Sequence, residues 1–279
     1  AVFHGFKVDK HGDDKGHFKI RGCFDLYCTQ GPNTTEKFQQ LALQHQYFKV
    51  KETGWSALDG LHQYQPYVND RPTILLCSTF SKQLTCAPHL FEQVKQLSQL
   101  GNWQWLVQFH PKMSKVVVDK YKAIQGDNLQ FIETDNVVPL LQKADVMVCD
   151  TSSVMSMFLM LKKPVVTFNT VTAYDYLLNF TRPDELAKHI VTALAQPPAL
   201  MNCIDDFCLQ THPYQDGYSA NRVLRAIDEQ LAGVDLPIKS KPANIFRQFK
   251  MRISLNYWTL PIFNRLKVKI SELMPAKSC

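Results

Sequence analysis

The chain has 279 residues, 45% of them hydrophobic, with eight cysteines and a formal net charge of +6. This length and apolar content provide one large domain or two of ordinary size with a proper core, and exclude a disordered chain. No run of about 18 apolar residues is present, so no membrane-spanning helix is expected, and no secretory signal peptide is recognisable.

The cysteines stand at 23, 28, 77, 86, 149, 203, 208 and 279, none in a CxxC pair and several in apolar runs. They read as reduced, buried thiols of a cytoplasmic protein, without a disulfide framework or a zinc site. The charge is local. Between Lys239 and Lys269 lie eight Lys/Arg and no Asp or Glu, which exceeds the net charge of the whole chain and leaves the remainder slightly acidic. A general nucleic-acid-binding surface is therefore not expected.

In chain order, Ala1-Val2-Phe3-His4-Gly5 reads as the end of a strand entering a loop, as in a chain lacking an upstream domain. Phe24–Cys28 reads as a strand, Thr34 or Thr35 as the cap of a helix reaching about Gln46, and Tyr47–Val50 as a second strand. The proline-containing stretch 65–72 marks a boundary. A cleaner alternation follows, with strands at Thr73–Ser78, Trp103–Phe109, Leu129–Ile132, Val146–Cys149 and Val165–Phe168. Helices are expected at about His89–Leu100, Ser114–Ile124, Val137–Lys143, Val154–Leu161, Pro183–Ala195 and Ser219–Leu231. Strands separated by helices imply an α/β fold with a doubly wound parallel sheet. Residues 233–279 break the rhythm with Pro237, Pro242 and Pro261 among basic and aromatic residues, and read as a basic amphipathic appendage. Three regions result: 1–65, 72–232 and 233–279.

The most informative stretch is Ala144–Phe168. A strand stops at Asp150-Thr151-Ser152-Ser153, and a helix and a second strand follow. Hydroxyls and open backbone N–H groups at a helix start, on the carboxyl edge of a parallel sheet, suit a phosphorylated ligand. The same residues are also ordinary helix caps. His110-Pro111 falls where a strand ends on that edge, and a histidine there can donate to phosphate or exchange a proton near neutral pH. In His4-Gly5, the glycine permits close backbone approach and the histidine accepts a proton. His11 and His17 with Asp9, Asp13 and Asp14 do not match a metal-ligand spacing, and no metal site is expected. Asp216-Gly217 reads as a tight turn before a helix in which Ser219 is the cap and Arg222 can reach an anion. Thr79, just past the Thr73–Ser78 strand, joins the substrate-binding candidates.

Together these pieces resemble the CDP-glycerol:poly(glycerol phosphate) glycerophosphotransferase family, the teichoic-acid polymerases and primases. The resemblance runs over about residues 1–230, through His4-Gly5, His110-Pro111, Asp150-Thr151-Ser152-Ser153 with Lys163-Pro164, and Asp216-Gly217. It implies a glycosyltransferase-B-like architecture of Rossmann-like domains, with 1–65 an incomplete N-terminal acceptor-side domain and 72–232 the donor-binding domain. It implies roles as well. His4 would be the base that activates an acceptor hydroxyl, and His110 would stabilise charge on the leaving group. Gly5, Thr79, Pro111, Asp150, Thr151, Ser152, Ser153, Asp216, Gly217 and Arg222 would bind substrate. The donor would be CDP-glycerol or a related nucleotide-activated polyol, and the acceptor lipid-linked or a polysaccharide. CMP would be released and no cofactor used. The basic segment 239–269 would hold the protein peripherally on the anionic inner face of a bacterial membrane.

Four positions depart from the family pattern: Cys149 and Thr151 replace Thr and Tyr, Met157 stands where an acid is expected, and Phe6 follows His-Gly. They point to a divergent branch, such as one serving capsule or surface polysaccharide, and leave nucleotide and polyol identity open. The alternatives are a UDP-sugar-dependent glycosyltransferase or sugar-nucleotide epimerase of the same architecture and, from Met157 and the expected lack of an upstream domain, a non-catalytic nucleotide-binding scaffold.

Overall fold

In the computed structural model the described residues are 1–3, 18–63, 69–151, 153–170, 172–233 and 239–257. They belong to two compact units, Ala1–Lys239 and Ser240–Cys279.

The larger sheet of the first unit has six parallel strands: β3 (Thr73–Ser78), β4 (Gln104–Phe109), β5 (Leu129–Phe131), β6 (Val146–Cys149), β7 (Val165–Phe168) and β8 (Leu178–Phe180). Their order is β5-β4-β3-β6-β7-β8. Strand order thus reverses between β3 and β6, and in such sheets ligands bind beyond the carboxyl ends of the strands at the reversal. Strands β3, β6 and β7 are buried along their whole length, as their unbroken apolar sequences require of strands covered on both faces.

Alternate residues feed two cores. Ile74, Leu76, Trp105, Val107, Val146 and Val148 face α2 (Ala87–Leu100), α3 (Lys115–Ala123) and, beyond a short 3-10 turn, α6 (Leu186–Leu194). Leu75, Leu106, Met147 and Val165 face α4 (Val138–Lys143), α5 (Ser153–Leu159), α7 (Pro198–Thr211) and a 3-10 segment, Ser56–Gln63. The expected doubly wound α/β sheet is present. Two of its elements, α7 and β8, were not expected from the sequence.

Residues before 65 form a second parallel pair, β1 (Leu26–Thr29) and β2 (Lys49–Glu52), linked by α1 (Pro32–His45). Val2 pairs in parallel with Cys28 on β1. Helix α1 covers one face through Tyr27, Phe38 and Phe48. The other face is covered by α8 (Ser219–Leu231), whose Val223 and Ala226 meet Leu26 and Cys28. The last helix of the 72–232 region therefore closes on the sheet of the 1–65 region. Gly31 allows a further junction: a Cβ there would lie 2.4 Å from the Thr211 carbonyl oxygen at the end of α7.

Lys163 is structural. Its ammonium donates to the carbonyls of Gln142 and Ala144 at 2.6 Å each, and to that of Leu141 at 3.3 Å, closing the end of α4. Burial lowers its pKa. A cation on the carbonyl end of a helix is favourable, which accounts for a lysine immediately before Pro164 and β7.

In the second unit α9 (Ile245–Leu255) places Ile245, Phe249 and Ile253 along one stripe with Phe246 beside it, all exposed; by helical spacing Arg252 and Lys250 lie on its two sides and Arg247 on the opposite face. No helix among the described residues is long and apolar enough to cross a membrane.

Candidate functional site

Strand register brings three loops to one level of the larger sheet. Ser78 pairs with Phe109, and Leu76 pairs with Val148, so Ser78 lies level with Asp150. The residues that follow are Thr79, His110 and Thr151, on three adjacent strands. At about 4.8 Å between strands, the outer two leave the edge about 10 Å apart. That span suits a ligand carrying a diphosphate.

Asp150 is buried, and its carboxylate is turned into the protein. The Ser78 hydroxyl donates to it at 2.6 Å, the Thr79 N–H at 3.0 and 3.1 Å to its two oxygens, and the Cys86 N–H at 3.0 Å. Thr79 and Cys86 are the two ends of the β3–α2 loop, so one carboxylate clamps both. The Ser78 hydroxyl also meets that of Thr85 at 2.8 Å and accepts from the Ala87 N–H at 3.3 Å. Burial raises the Asp150 pKa, and the donors from Ser78, Cys86 and Thr79 oppose that shift. The Thr79 N–H is engaged in this clamp, and its side chain is buried.

His110 is exposed at the end of β4 and hydrogen-bonds back to β3, its backbone N–H donating to the Ser78 carbonyl at 3.3 Å. Its Nδ1 accepts from the Lys112 N–H at 3.0 Å. A neutral imidazole can do this only with its proton on Nε2, which makes Nε2 the donor. The ring packs on Phe80, with centroids 4.5 Å apart and planes inclined at 42°, and the Lys112 ammonium lies 5.7 Å from the same phenyl ring. Phe80 and Lys112 were not anticipated from the sequence. The HPK run was the available signal for Lys112, whereas nothing local marked Phe80. Beside His110 and Pro111 a cleft of about 430 Å³ opens between the ends of β4 and β5, with Phe131, Ile132, Glu133 and Asp135 in its lining.

Thr151 is buried next to Asp150, and Ser153 opens α5. This helix has only seven residues, so it offers N–H donors at its start more than a developed dipole. Met157 on α5 packs half-buried against the second core. His4, Gly5 and Ser152 lie outside the described residues.

Asp216, Gly217 and Arg222 are held by other elements. Arg222 forks onto Asp216, one nitrogen at 3.1 Å and the other closer, and its guanidinium stacks 3.9 Å over Tyr214. The Tyr214 hydroxyl donates to Glu52 at the end of β2, at 3.1 Å. The Arg222 bond holds the Asp216 carboxyl below its ordinary pKa. Gly217 turns the chain at φ +72°. Arg222, expected to reach an anion, thus meets one supplied by the protein. The start of α8 is capped from outside the helix: Asp59 accepts from the N–H groups of Ser219 and Ala220 at 2.9 and 2.7 Å. The side chain of Ser219, the cap expected from the sequence, is not used for this. Gly54 completes the junction, since a Cβ there would lie 2.6 Å from the Ser219 Oγ and 2.9 Å from His212.

Burial keeps the thiols of Cys77, Cys86, Cys149 and Cys208 protonated. Cys77 and Cys208 are pushed up to about 12, mainly by burial, and burial also raises Cys86 and Cys149. The cysteines among the described residues are free, and no cluster of metal-ligating side chains occurs among those residues.

These features can be set beside known proteins. No curated protein matches the sequence. Among solved structures, the wall teichoic acid polymerase TagF is 19% identical over 82% of this chain and 68% of its own, with a TM-score of 0.53. The S. aureus MnaA–UDP co-structure is 16% identical over 78% of this chain and 64% of its own, at a TM-score of 0.54. A UDP-N-acetylglucosamine 2-epimerase is 17% identical over 78% and 61%, at 0.51. At such identities the likeness establishes the fold, an α/β architecture of the glycosyltransferase-B-like kind. The chain spans about six tenths of the length of that epimerase. The family model of the CDP-Glycerol:Poly(glycerophosphate) glycerophosphotransferases matches residues 68–177, from just before β3 to just before β8. That segment contains Thr79, His110-Pro111 and Asp150 to Ser153, while His4-Gly5 and Asp216-Gly217 fall outside it. Through residues 68–177 the chain carries the pattern of the CDP-Glycerol:Poly(glycerophosphate) glycerophosphotransferase family.

Proposed function

We propose that the protein is a transferase that moves a glycerol-phosphate unit from CDP-glycerol, or a related CDP-activated polyol, to a hydroxyl of a lipid-linked or polysaccharide acceptor. The observation that carries this reading is the match over 68–177, whose motif residues emerge on one level of the carboxyl edge at the strand-order reversal. In the reaction the acceptor oxygen attacks the β-phosphorus. A new P–O bond forms, the bond to the bridging oxygen breaks, and CMP leaves with that oxygen. The acceptor's proton passes to His4. Such transfers depend on positioning and charge stabilisation more than on covalent chemistry.

His110 Nε2–H donates to the phosphate of the departing CMP. Pro111 stiffens the turn behind it, and Thr151, Ser152 and Ser153 supply hydroxyl and backbone donors from the facing loop. Asp150 and Thr79 serve from behind by fixing the loops, and Gly5 lets the backbone approach the ligand. Glu133 and Asp135 line the cleft beside His110. Their carboxylates accept from hydroxyl groups and repel phosphate, which fits the non-phosphate part of a donor. Asp216, Gly217 and Arg222 form a braced turn on the side of the small sheet.

A nucleotide-release assay tests the reading. The protein should release CMP from CDP-glycerol in the presence of a polyol-phosphate acceptor. Release of UDP from UDP-sugars, or their epimerisation, with CDP-glycerol left intact, would replace it with the glycosyltransferase or epimerase alternative.

The segment 239–269 holds the protein on the anionic inner face of the membrane. Eight basic residues at about 1 kcal/mol each and the exposed stripe of α9 support this. Binding to vesicles containing anionic lipid should be strong at low salt and weak at high salt. Binding indifferent to both lipid charge and salt would exclude electrostatic docking.

A further inference from the structure

We propose that Phe80 is the positioning residue for His110, holding its imidazole in the orientation that presents Nε2–H to the ligand; this rests on the phosphate-binding role given to His110 above. An isolated imidazole at a strand end can rotate about its side-chain bonds and exchange its proton between two nitrogens. Two contacts remove that freedom here. The Lys112 N–H bond to Nδ1 sets the tautomer, and the phenyl ring of Phe80, 4.5 Å from the imidazole centroid, sets the plane. Such a ring pair is favourable in this tilted arrangement.

Phe80 is otherwise hard to explain. It is 44% exposed on a polar sheet edge and belongs to neither core cluster of the larger sheet. Among the described residues its ring contacts are with His110 and the Lys112 ammonium, both on the loop after β4. Its own position is fixed from the other side, because the preceding residue, Thr79, is tied through its N–H to both oxygens of Asp150. A rigid path therefore runs from the buried carboxylate at the strand-order reversal, through the β3–α2 loop, to the imidazole. A donor that must meet a developing charge is most effective when its orientation is set before the ligand arrives.

The test uses the full chain with Phe80→Ala and Phe80→Tyr. In Phe80→Ala, kcat for CMP release should fall about tenfold while KM for CDP-glycerol changes less than about threefold. Phe80→Tyr, which keeps the ring, should stay near wild type. The 15N signals of the His110 ring give a readout independent of turnover. Wild type should show unprotonated Nδ1 and protonated Nε2. In Phe80→Ala the ring is free to swing out of the plane in which Nδ1 meets the Lys112 N–H, so that bond loosens and the signals should move toward the average of the two tautomers. Urea midpoints should agree across the three proteins, given the exposure of the side chain. An unchanged ring signature in Phe80→Ala overturns the proposal, as does equal loss of kcat in both variants. If wild type releases no CMP, the donor assignment fails while the ring signals still decide the role of Phe80.

Discussion

Replacing Asp150 with asparagine should lower the unfolding free energy by about 3 kcal/mol, one of the largest effects of any single polar substitution in this chain. The wild-type carboxylate accepts from the Ser78 hydroxyl and from the N–H groups of Thr79 and Cys86. Asparagine keeps one acceptor oxygen and turns an NH2 group toward donors that it cannot satisfy. A buried N–H left without an acceptor incurs its full desolvation cost, because no water takes the place of the lost partner. The pH dependence has a defined sign. Burial raises the folded-state pKa of Asp150 above its ordinary value, so folding takes up a proton between the two. The contribution of this group is full below the unfolded pKa and falls as the pH rises through the raised one. Asparagine does not titrate, so the gap between wild type and variant should widen as the pH is lowered through that window. Urea denaturation at several pH values measures it. A variant as stable as wild type would contradict the clamp, and a gap that narrows on acidification would contradict the dominance of burial over the clamp's donors in setting the Asp150 pKa.

His110→Ala should reduce the turnover of CMP release by about 10²- to 10³-fold, the cost of removing one donor aimed at a developing charge. Donor KM should change little, because the bond is strongest in the transition state. The side chain is exposed and belongs to neither core cluster of the larger sheet, so the fold should survive its truncation. His110→Gln keeps an N–H donor at a similar reach and should recover part of the loss. Steady-state CMP release by the three proteins decides the matter. Equal turnover in wild type and alanine variant would remove His110 from the reaction.

The larger sheet was legible because its central strands are covered on both faces and so read as unbroken apolar runs: Thr73–Ser78, Val146–Cys149 and Val165–Phe168 stand at the expected bounds. Helix α7 opens on Pro197-Pro198, a pair that ordinarily marks a break. Pro198 instead occupies the first helical position, where its missing N–H costs nothing. Leu200, Ile204 and Cys208 carry the helical spacing that could have revealed the helix. Strand β8 has only three residues and is largely half-buried, too little pattern to recognise. At the site, the sequence marked the turn residues His110 and Asp150 but not what they touch. The partners of Asp150 lie 64 to 72 positions upstream. The α8 cap, Asp59, lies 160 positions from Ser219. Contacts of that range are set by strand order and helix packing, which local composition does not encode.

The central claim, that a nucleotide diphosphate is held where the loops after β3, β4 and β6 meet, is tested most directly by titrating the isotope-labelled protein with CDP-glycerol and following its amide and imidazole signals. The expected result is a saturable set of shifts concentrated at 79–80, 110–112 and 150–153, with the His110 Nε2 signal among the largest. Saturable shifts confined to other surfaces, with those three loops silent, would contradict it.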